Sequence, residues 1–186
     1  LYKDGLQRDQ FKPFINIMRE LCNEIELVID EDYRKSASNI LDRFFYPLNE
    51  ETNFKINQIF RKLTKDKIKS SKNLKIKGRT FEIKDYFEKI ARFDFDYLCN
   101  QNIGAEDYIK IAEACEYIVI ENIPKFNEEN INKQKRFITL IDILYEKKIP
   151  LMTSSSVNLE NFGSSKALTD SFKRTLSRLY ELTSIN

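Results

Sequence analysis

Three arginines are the residues whose positions suit them best to bind an anion. Arg8 lies between the turn at Gly5 and a predicted helix, so a short and stiff segment holds its guanidinium. Arg174 and Arg178 are four residues apart in a predicted C-terminal helix and therefore share one face of it. Because a guanidinium binds phosphate through paired N–H donors, this face could hold a nucleotide phosphate; a solvated surface without a ligand explains the same spacing.

Carboxylates follow two predicted strands, at the place where a magnesium ion and an attacking water sit in phosphoryl-transfer sites. Asp30-Glu31 follows the apolar run Ile25–Ile29, and Glu121-Asn122 follows Ile118–Ile120. A phosphate-binding loop should accompany such acids, yet the four glycines are isolated and none lies in a G-x-x-x-x-G-K-[ST] segment. The favoured interpretation is therefore that both strands end in solvated polar loops.

The composition excludes several classes of catalytic site. The chain has no histidine, which rules out a Ser-His-Asp triad, a Cys-His dyad and a histidine-ligated zinc. Ser154–Ser156 has no evident base and is predicted to be a polar turn. Cys22, Cys99 and Cys115 are widely spaced in apolar sequence, which predicts buried thiols in a reducing compartment rather than disulfides or a zinc cluster. A net charge of +2, from 31 basic and 29 acidic residues, argues against nucleic acid as a partner, although the loop Lys65–Lys72 could contact phosphates.

The N-terminal third of the chain shows mainly helical periodicity. Its predicted elements are a helix over Gln10–Asn23, the strand Ile25–Ile29, helical segments across Ser36–Lys69 and an exposed loop over Lys65–Lys72. Phe44 and Phe45 are assigned to an apolar helix face that ends at Pro47. Phe54 is assigned to a second apolar stripe, which runs to Leu63.

The rest of the chain mixes alternating and helical periods, which indicates an α/β domain. The segment Leu74–Ile83 alternates on both sides of Gly78-Arg79, a pattern typical of a β-hairpin. The further predicted elements are a strand near Ile90–Phe95, a helix over Ala105–Ala114 with Tyr108, Ile109, Ile111 and Ala112 inward, the strand Tyr117–Ile120, a helix from an Asn127 cap to Lys147, the strand Ile149–Thr153 and a final helix capped by Thr169. Strand, helix, strand in this order predicts a parallel pair with a crossover.

No apolar run approaches the length of a membrane span. The best candidate, Phe137–Tyr145, is short and contains Asp142. No signal peptide is visible. The sequence begins with Leu1 rather than Met, so we expect it to be a fragment of a longer protein.

A series of short stretches forms an ordered pattern along nearly the whole chain. The stretches are Leu1–Arg8 with Phe11–Ile15, Asp32–Arg34, Gly78-Arg79, Ala91–Phe93, Leu98-Cys99, Gly104–Tyr108, Arg136–Asp142, Leu144-Tyr145 and Phe172–Leu179. In this order they resemble the ZapE-type AAA+ ATPases, the bacterial cell-division proteins related to the mitochondrial lactation-elevated ATPase. No single stretch is decisive, whereas the series is specific.

The resemblance implies a particular division of an α/β fold. Residues 1–35 would be the end of an AAA+ P-loop core, residues 36–72 a helical connector, and residues 73–186 a C-terminal α/β module with a β-hairpin and a parallel strand pair. The family's phosphate loop and Mg²⁺-site acid would then lie upstream of Leu1, so we expect this chain alone not to hydrolyse ATP.

The resemblance also implies roles for the three arginines. Arg8 corresponds to the family's candidate arginine finger, which reaches the nucleotide of a neighbouring subunit. Arg174 and Arg178 match an arginine-bearing motif, which makes them candidates for sensing bound nucleotide from the C-terminal region.

The function implied for the full-length protein is hydrolysis of ATP, with Mg²⁺, coupled to protein remodelling. The implied partners are the chain's own subunits in a homo-oligomeric ring and a protein substrate or division-machinery component. The implied location is the bacterial cytoplasm, or the mitochondrial matrix in a eukaryote. The alternative is a stand-alone protein-binding module without a catalytic role.

Overall fold

The described part of the chain, in a computed structural model, comprises residues 43–184 and five helical positions nearer the N-terminus: 13, 14, 17, 20 and 21. The chain divides into two compact units, residues 1–31 and residues 32–186, and the elements below belong to the second unit. Several predictions lie outside the described residues. They concern Arg8, Cys22 and the strand Ile25–Ile29 with Asp30-Glu31 after it.

Within residues 43–184, six strands form one sheet. In chain order the strands are β1 (Phe44–Phe45), β2 (Lys69–Ile76), β3 (Arg79–Phe87), β4 (Ile90–Asp94), β5 (Tyr117–Ile123) and β6 (Leu151–Ser155). Across the sheet the order is β1-β6-β5-β4-β3-β2. The pairs β1–β6, β6–β5 and β5–β4 are parallel, whereas β4–β3 and β3–β2 are antiparallel. The predicted hairpin and parallel pair are therefore confirmed.

Five α-helices in the same range surround the sheet. They are α1 (Glu50–Leu63), α2 (Phe95–Cys99), α3 (Ala105–Ala114), α4 (Ile131–Glu146) and α5 (Thr169–Thr183). Along β5, Ile118 and Ile120 belong to a large core that includes residues of α2 to α5, whereas Val119 belongs to a smaller core with α1. Helices thus cover both faces of the parallel strands, which explains why β5 is an apolar run rather than an alternating one.

Five phenylalanines form the centre of the large core. They are Phe95, Phe126, Phe137, Phe162 and Phe172, each almost fully buried. Neighbouring rings in this group have centroids 5.2–6.1 Å apart. Burying one such side chain stabilises the fold by about 1.5–3 kcal/mol, so this cluster holds α2, α4 and α5 together.

The hairpin is confirmed, but its turn lies one residue before the predicted Gly78-Arg79, because Arg79 is already the first residue of β3. Lys77 and Gly78 connect β2 to β3, and both have positive φ, 44° and 80°. Two consecutive positive φ angles define the type I′ turn, whose twist matches that of the flanking strands. The helix predicted over Ala105–Ala114 has the same bounds in the structure.

Two segments differ from the prediction because tertiary pairing decides their structure. Phe44 and Phe45, predicted to be helical, form β1 and pair with Thr153 and Ser154 of β6. The predicted loop Lys65–Lys72 is wrong in its second half, since β2 begins at Lys69. This half of β2 is exposed on both sides and so lacks the apolar alternation that marks a strand.

Smaller corrections concern individual side chains. Ser154 and Ser155 are buried in β6 and do not form a turn. Ile109 of α3 is exposed rather than inward, and so is Phe54 of α1. Thr169 is the first residue of α5 rather than its cap. Its hydroxyl donates to the carbonyls of Ser165 and Lys166 in the preceding turn.

Candidate functional site

The two C-terminal arginines converge on one carboxylate. Asp142 lies on the face of α4 that packs against α5. Arg178 Nη1 lies 2.5 Å from Asp142 Oδ1, and Arg174 Nη2 lies 4.0 Å from Asp142 Oδ2. The anion between the two guanidiniums in this structure is therefore a side chain of the same chain.

Tyr145, one turn after Asp142 on α4, completes the surroundings of Arg178. Its ring lies under the guanidinium, with the Arg178 Cζ atom 5.0 Å from the ring centroid. A cation above an aromatic face is attracted by the negative charge of the ring's centre. Arg178 is thus held by two neighbours, and its side chain is only 20% exposed.

Arg174 is the more accessible of the two arginines, with 59% of its side chain exposed. It lines a shallow depression of about 400 Å³ together with Tyr145, Lys173, Ser177 and Arg178. Lys173 pairs loosely with Asp170, at 3.6 Å. This positively charged depression has the chemistry to accept a further anion. A nucleotide-sensing role for Arg174 and Arg178 stays a prediction, and so does the role of Arg8.

Sequence reasoning did not identify Arg79 and Asp107 as partners. The Arg79 guanidinium donates to Asp107 Oδ2 at 2.5 Å and to the Asn102 carbonyl at 2.6 Å. Asp107 Oδ2 also accepts the Gly104 N–H at 2.8 Å, at the start of α3. Two of the stretches that carry the resemblance, Gly78-Arg79 and Gly104–Tyr108, are thereby joined. The sequence signal that could have pointed to this pair is that both stretches belong to the series that carries the family resemblance.

Arg92 and Glu121 form a second ion pair that sequence reasoning missed. Two parallel N–H groups of Arg92 donate to the Glu121 carboxylate, at 2.5 and 2.7 Å. The Arg92 Cζ atom lies 5.0 Å from the Phe60 ring centroid of α1. Glu121 is therefore part of β5 and paired, rather than the start of a solvated loop. Among the residues that the structure describes, no cluster of three potential metal ligands occurs.

The described cysteines confirm the prediction of buried thiols. Cys99 and Cys115 are free and buried. Burial raises the pKa of the Cys115 thiol to about 12, and it raises the pKa of Cys99 further. A thiol that stays protonated is a poor nucleophile, so these two residues belong to the core and not to a catalytic site.

None of the helices in the described ranges is both long and apolar enough to cross a bilayer.

The partly parallel sheet, with helices on both faces of its parallel strands, defines an α/β protein, and sequence comparison gives its family. The profile of the AFG1-like ATPase family matches residues 1–186. The chain therefore belongs to the AFG1-like ATPase family. No solved structure matches the chain significantly.

Two curated relatives align with almost the whole chain. Lactation elevated protein 1 homolog B of Danio rerio is 29% identical over 185 residues, which cover 98% of this chain and 37% of the relative. Cell division protein ZapE of Escherichia coli K12 is 27% identical over 184 residues, which cover 99% of this chain and 49% of the relative. The chain thus spans less than half the length of either relative.

Proposed function

We propose that this chain is the C-terminal part of an AAA+ ATPase that couples ATP binding and hydrolysis to protein remodelling. The observation that carries the proposal is the match of the AFG1-like ATPase family to every residue of the chain. The work would be done by a ring of identical subunits acting on a protein substrate or a component of the division machinery. The ring would operate in the cytoplasm of a bacterium or in the mitochondrial matrix of a eukaryote.

Successive segments of the chain are proposed to have different roles. Residues 1–35 are proposed to form the end of the ATPase core. The connector predicted over residues 36–72 contributes β1, α1 and the start of β2 to the same compact unit as residues 73–186, so the two segments are proposed to form the C-terminal module together. The boundary between the two compact units, after residue 31, supports the first of these limits. Residues 1–186 contain no G-x-x-x-x-G-K-[ST] segment, so the loop that holds ATP and Mg²⁺ would come from another part of the full-length protein.

Arg8 is proposed to act as an arginine finger in the neighbouring subunit's site. Negative charge accumulates on the oxygens of the transferred phosphoryl group, and a guanidinium placed there lowers the barrier. Arg174 and Arg178 are proposed to report the nucleotide state to the C-terminal module. The exposed, cationic depression around Arg174 supports this assignment.

The test compares the full-length protein with residues 1–186 alone. Steady-state assays should show Mg²⁺-dependent ATP hydrolysis by the full-length protein and none by the isolated chain. Calorimetric titration should find no micromolar affinity of the isolated chain for Mg-ATP. A full-length protein without ATP hydrolysis would contradict the proposal and favour a stand-alone binding module.

A further inference from the structure

Residues 61–77 carry a concentration of positive charge that the net charge of the chain conceals. This segment, here called the basic edge, contains eight basic residues and one acidic residue. The rest of the chain holds 23 basic and 28 acidic residues, so it is net negative. The basic edge runs from the last turn of α1 through β2 to the hairpin turn. A ligand of opposite charge would therefore be attracted to this part of the surface.

The strand in the basic edge is also an outer strand of the sheet. Among the described residues β2 pairs with β3 and has no strand on its other side. In an antiparallel pair, alternate residues direct their N–H and C=O groups away from the partner strand. Such a row of backbone groups is a template for another extended chain. The residues from Lys69 to Asn73 are all exposed.

Two lysines of β2 lack a carboxylate partner among the described residues. Lys69 pairs with Asp85, and Lys77 pairs with Glu106, whereas no described acid lies within ion-pair distance of Lys72 or Lys75.

These two lysines flank the edge from opposite faces. Lys72 lies opposite the buried Ile83 and so belongs to the face that α2 to α5 cover. Lys75 lies opposite the exposed Thr80, and its odd spacing from Lys72 places it on the other face.

We propose that the basic edge binds an extended acidic segment of a protein, which adds to the sheet as a further strand beside β2. Backbone hydrogen bonds would supply affinity, and carboxylates on both faces of the added strand would meet Lys72 and Lys75. The proposal deepens the proposed remodelling function by naming the class of polypeptide that is bound. The biological role of this binding rests on that function. The binding itself requires no nucleotide.

Charge and composition separate this partner from two others. A second copy of the chain would oppose lysine to lysine across the edge, which is unfavourable. Single-stranded nucleic acid is usually held by aromatic stacking as well as by charge. The basic edge contains no aromatic residue, and a nucleic acid has no peptide backbone that could pair with the alternating N–H and C=O groups of β2.

The test uses fluorescein-labelled ten-residue peptides and the isolated chain of residues 1–186, followed by fluorescence anisotropy at low salt. The first peptide places Glu in adjacent pairs separated by Val-Thr pairs, so that carboxylates lie on both faces of the extended peptide. The second has Lys in place of each Glu. The third keeps the Glu residues but carries N-methyl groups on consecutive backbone nitrogens, so that neither edge of the peptide can donate hydrogen bonds to β2. We expect binding of the first peptide alone, weakening as salt is added, with slower hydrogen exchange across residues 69–76.

Paired charge-reversal variants locate the site. Lys72→Glu combined with Lys75→Glu should weaken binding of the first peptide at least tenfold. Lys135→Glu combined with Lys166→Glu changes the net charge equally at exposed positions elsewhere and should alter it less than twofold. Thermal unfolding checks that both double variants fold.

Four outcomes would overturn the proposal. The first is that the acidic peptide does not bind, and the second is that the N-methylated peptide binds equally well, which would mean that no strand is added. The third is that both double variants weaken binding equally. The fourth is that a twenty-nucleotide DNA strand binds more tightly than the acidic peptide. None of them bears on ATP hydrolysis by the full-length protein, so the two proposals can fail separately.

Discussion

The guanidinium of Arg178 on α5 and the carboxylate of Asp142 on α4 form an ion pair, 2.5 Å between Nη1 and Oδ1. Both side chains are mostly buried, at 20% and 26% exposure, and this contact joins two of the stretches that carry the family resemblance. The pair therefore links the last helix to α4, and any further anion at Arg178 would have to compete with Asp142.

A double-mutant cycle measures the strength of this pair. We expect Asp142→Asn and Arg178→Gln each to lower the free energy of unfolding by about 1–3 kcal/mol, because each leaves a mostly buried charge without its partner. The double variant should lose less than the sum of the two. Arg174→Gln is the matched control and should cost below about 1 kcal/mol, since Arg174 is exposed and 4.0 Å from Asp142. Additive losses in urea unfolding would show that the pair is not coupled.

Replacement of Gly163 by alanine should destabilise the protein. Its φ is +68°, and a Cβ atom would lie 2.4 Å from the Phe126 carbonyl oxygen. The backbone conformation and the clash together should lower the free energy of unfolding by about 2–4 kcal/mol. Gly104→Ala provides the control, since that glycine has an ordinary φ and nothing lies within 4 Å of its Cβ position. Equal stabilities of the two variants would refute this explanation.

Asp107 should matter far more than the acid beside it. The Asp107 carboxylate is nearly fully buried, faces Arg79 and accepts the Gly104 N–H. Asp107→Asn removes its negative charge. We expect it to cost about 1–3 kcal/mol of unfolding free energy. Glu106→Gln removes an exposed acid that pairs with Lys77 and should cost less than about 1 kcal/mol. Denaturant titrations of both variants make the comparison, and a costlier Glu106→Gln would contradict it.

The buried thiols predict a loss of stability at alkaline pH. An unfolded cysteine ionises near pH 8.5, whereas burial raises the folded pKa of Cys115 to about 12 and that of Cys99 further. The folded state therefore keeps protons that the unfolded state releases. The stabilisation is fully present below about pH 8.5 and is lost as pH rises toward the folded pKa, with a slope approaching about 1.4 kcal/mol per pH unit for each thiol.

Urea unfolding between pH 7.5 and pH 10 checks this slope. Cys115→Ala removes one of the two described thiols, so its stability should fall less steeply with pH than that of the parent chain, whatever its stability at pH 7.5. Identical slopes would mean that Cys115 ionises normally in the folded state.

The sequence predicted the elements whose pattern is local. The hairpin around Gly78, the helix Ala105–Ala114 and the apolar strand at Ile118 each have a period or a turn residue that identifies them. Phe44 could not be placed, because a two-residue strand exists only through its pairing with β6. The arginines at 174 and 178 were predicted to share a face, but Asp142 is 32 residues away from Arg174 in sequence. No local pattern predicts which acid will lie against them.

The proposed arginine-finger role is tested most directly by the steady-state ATPase rate of the full-length protein with Arg8→Ala. If Arg8 stabilises the transferred phosphoryl group, hydrolysis should slow by about 10³–10⁵-fold, while ATP affinity changes far less because the contact strengthens in the transition state. Lys135→Ala, which removes an exposed cation of α4, should leave the rate unchanged. Mixing Arg8→Ala subunits with phosphate-loop mutants should restore part of the activity. Near wild-type turnover of Arg8→Ala would contradict the arginine-finger assignment.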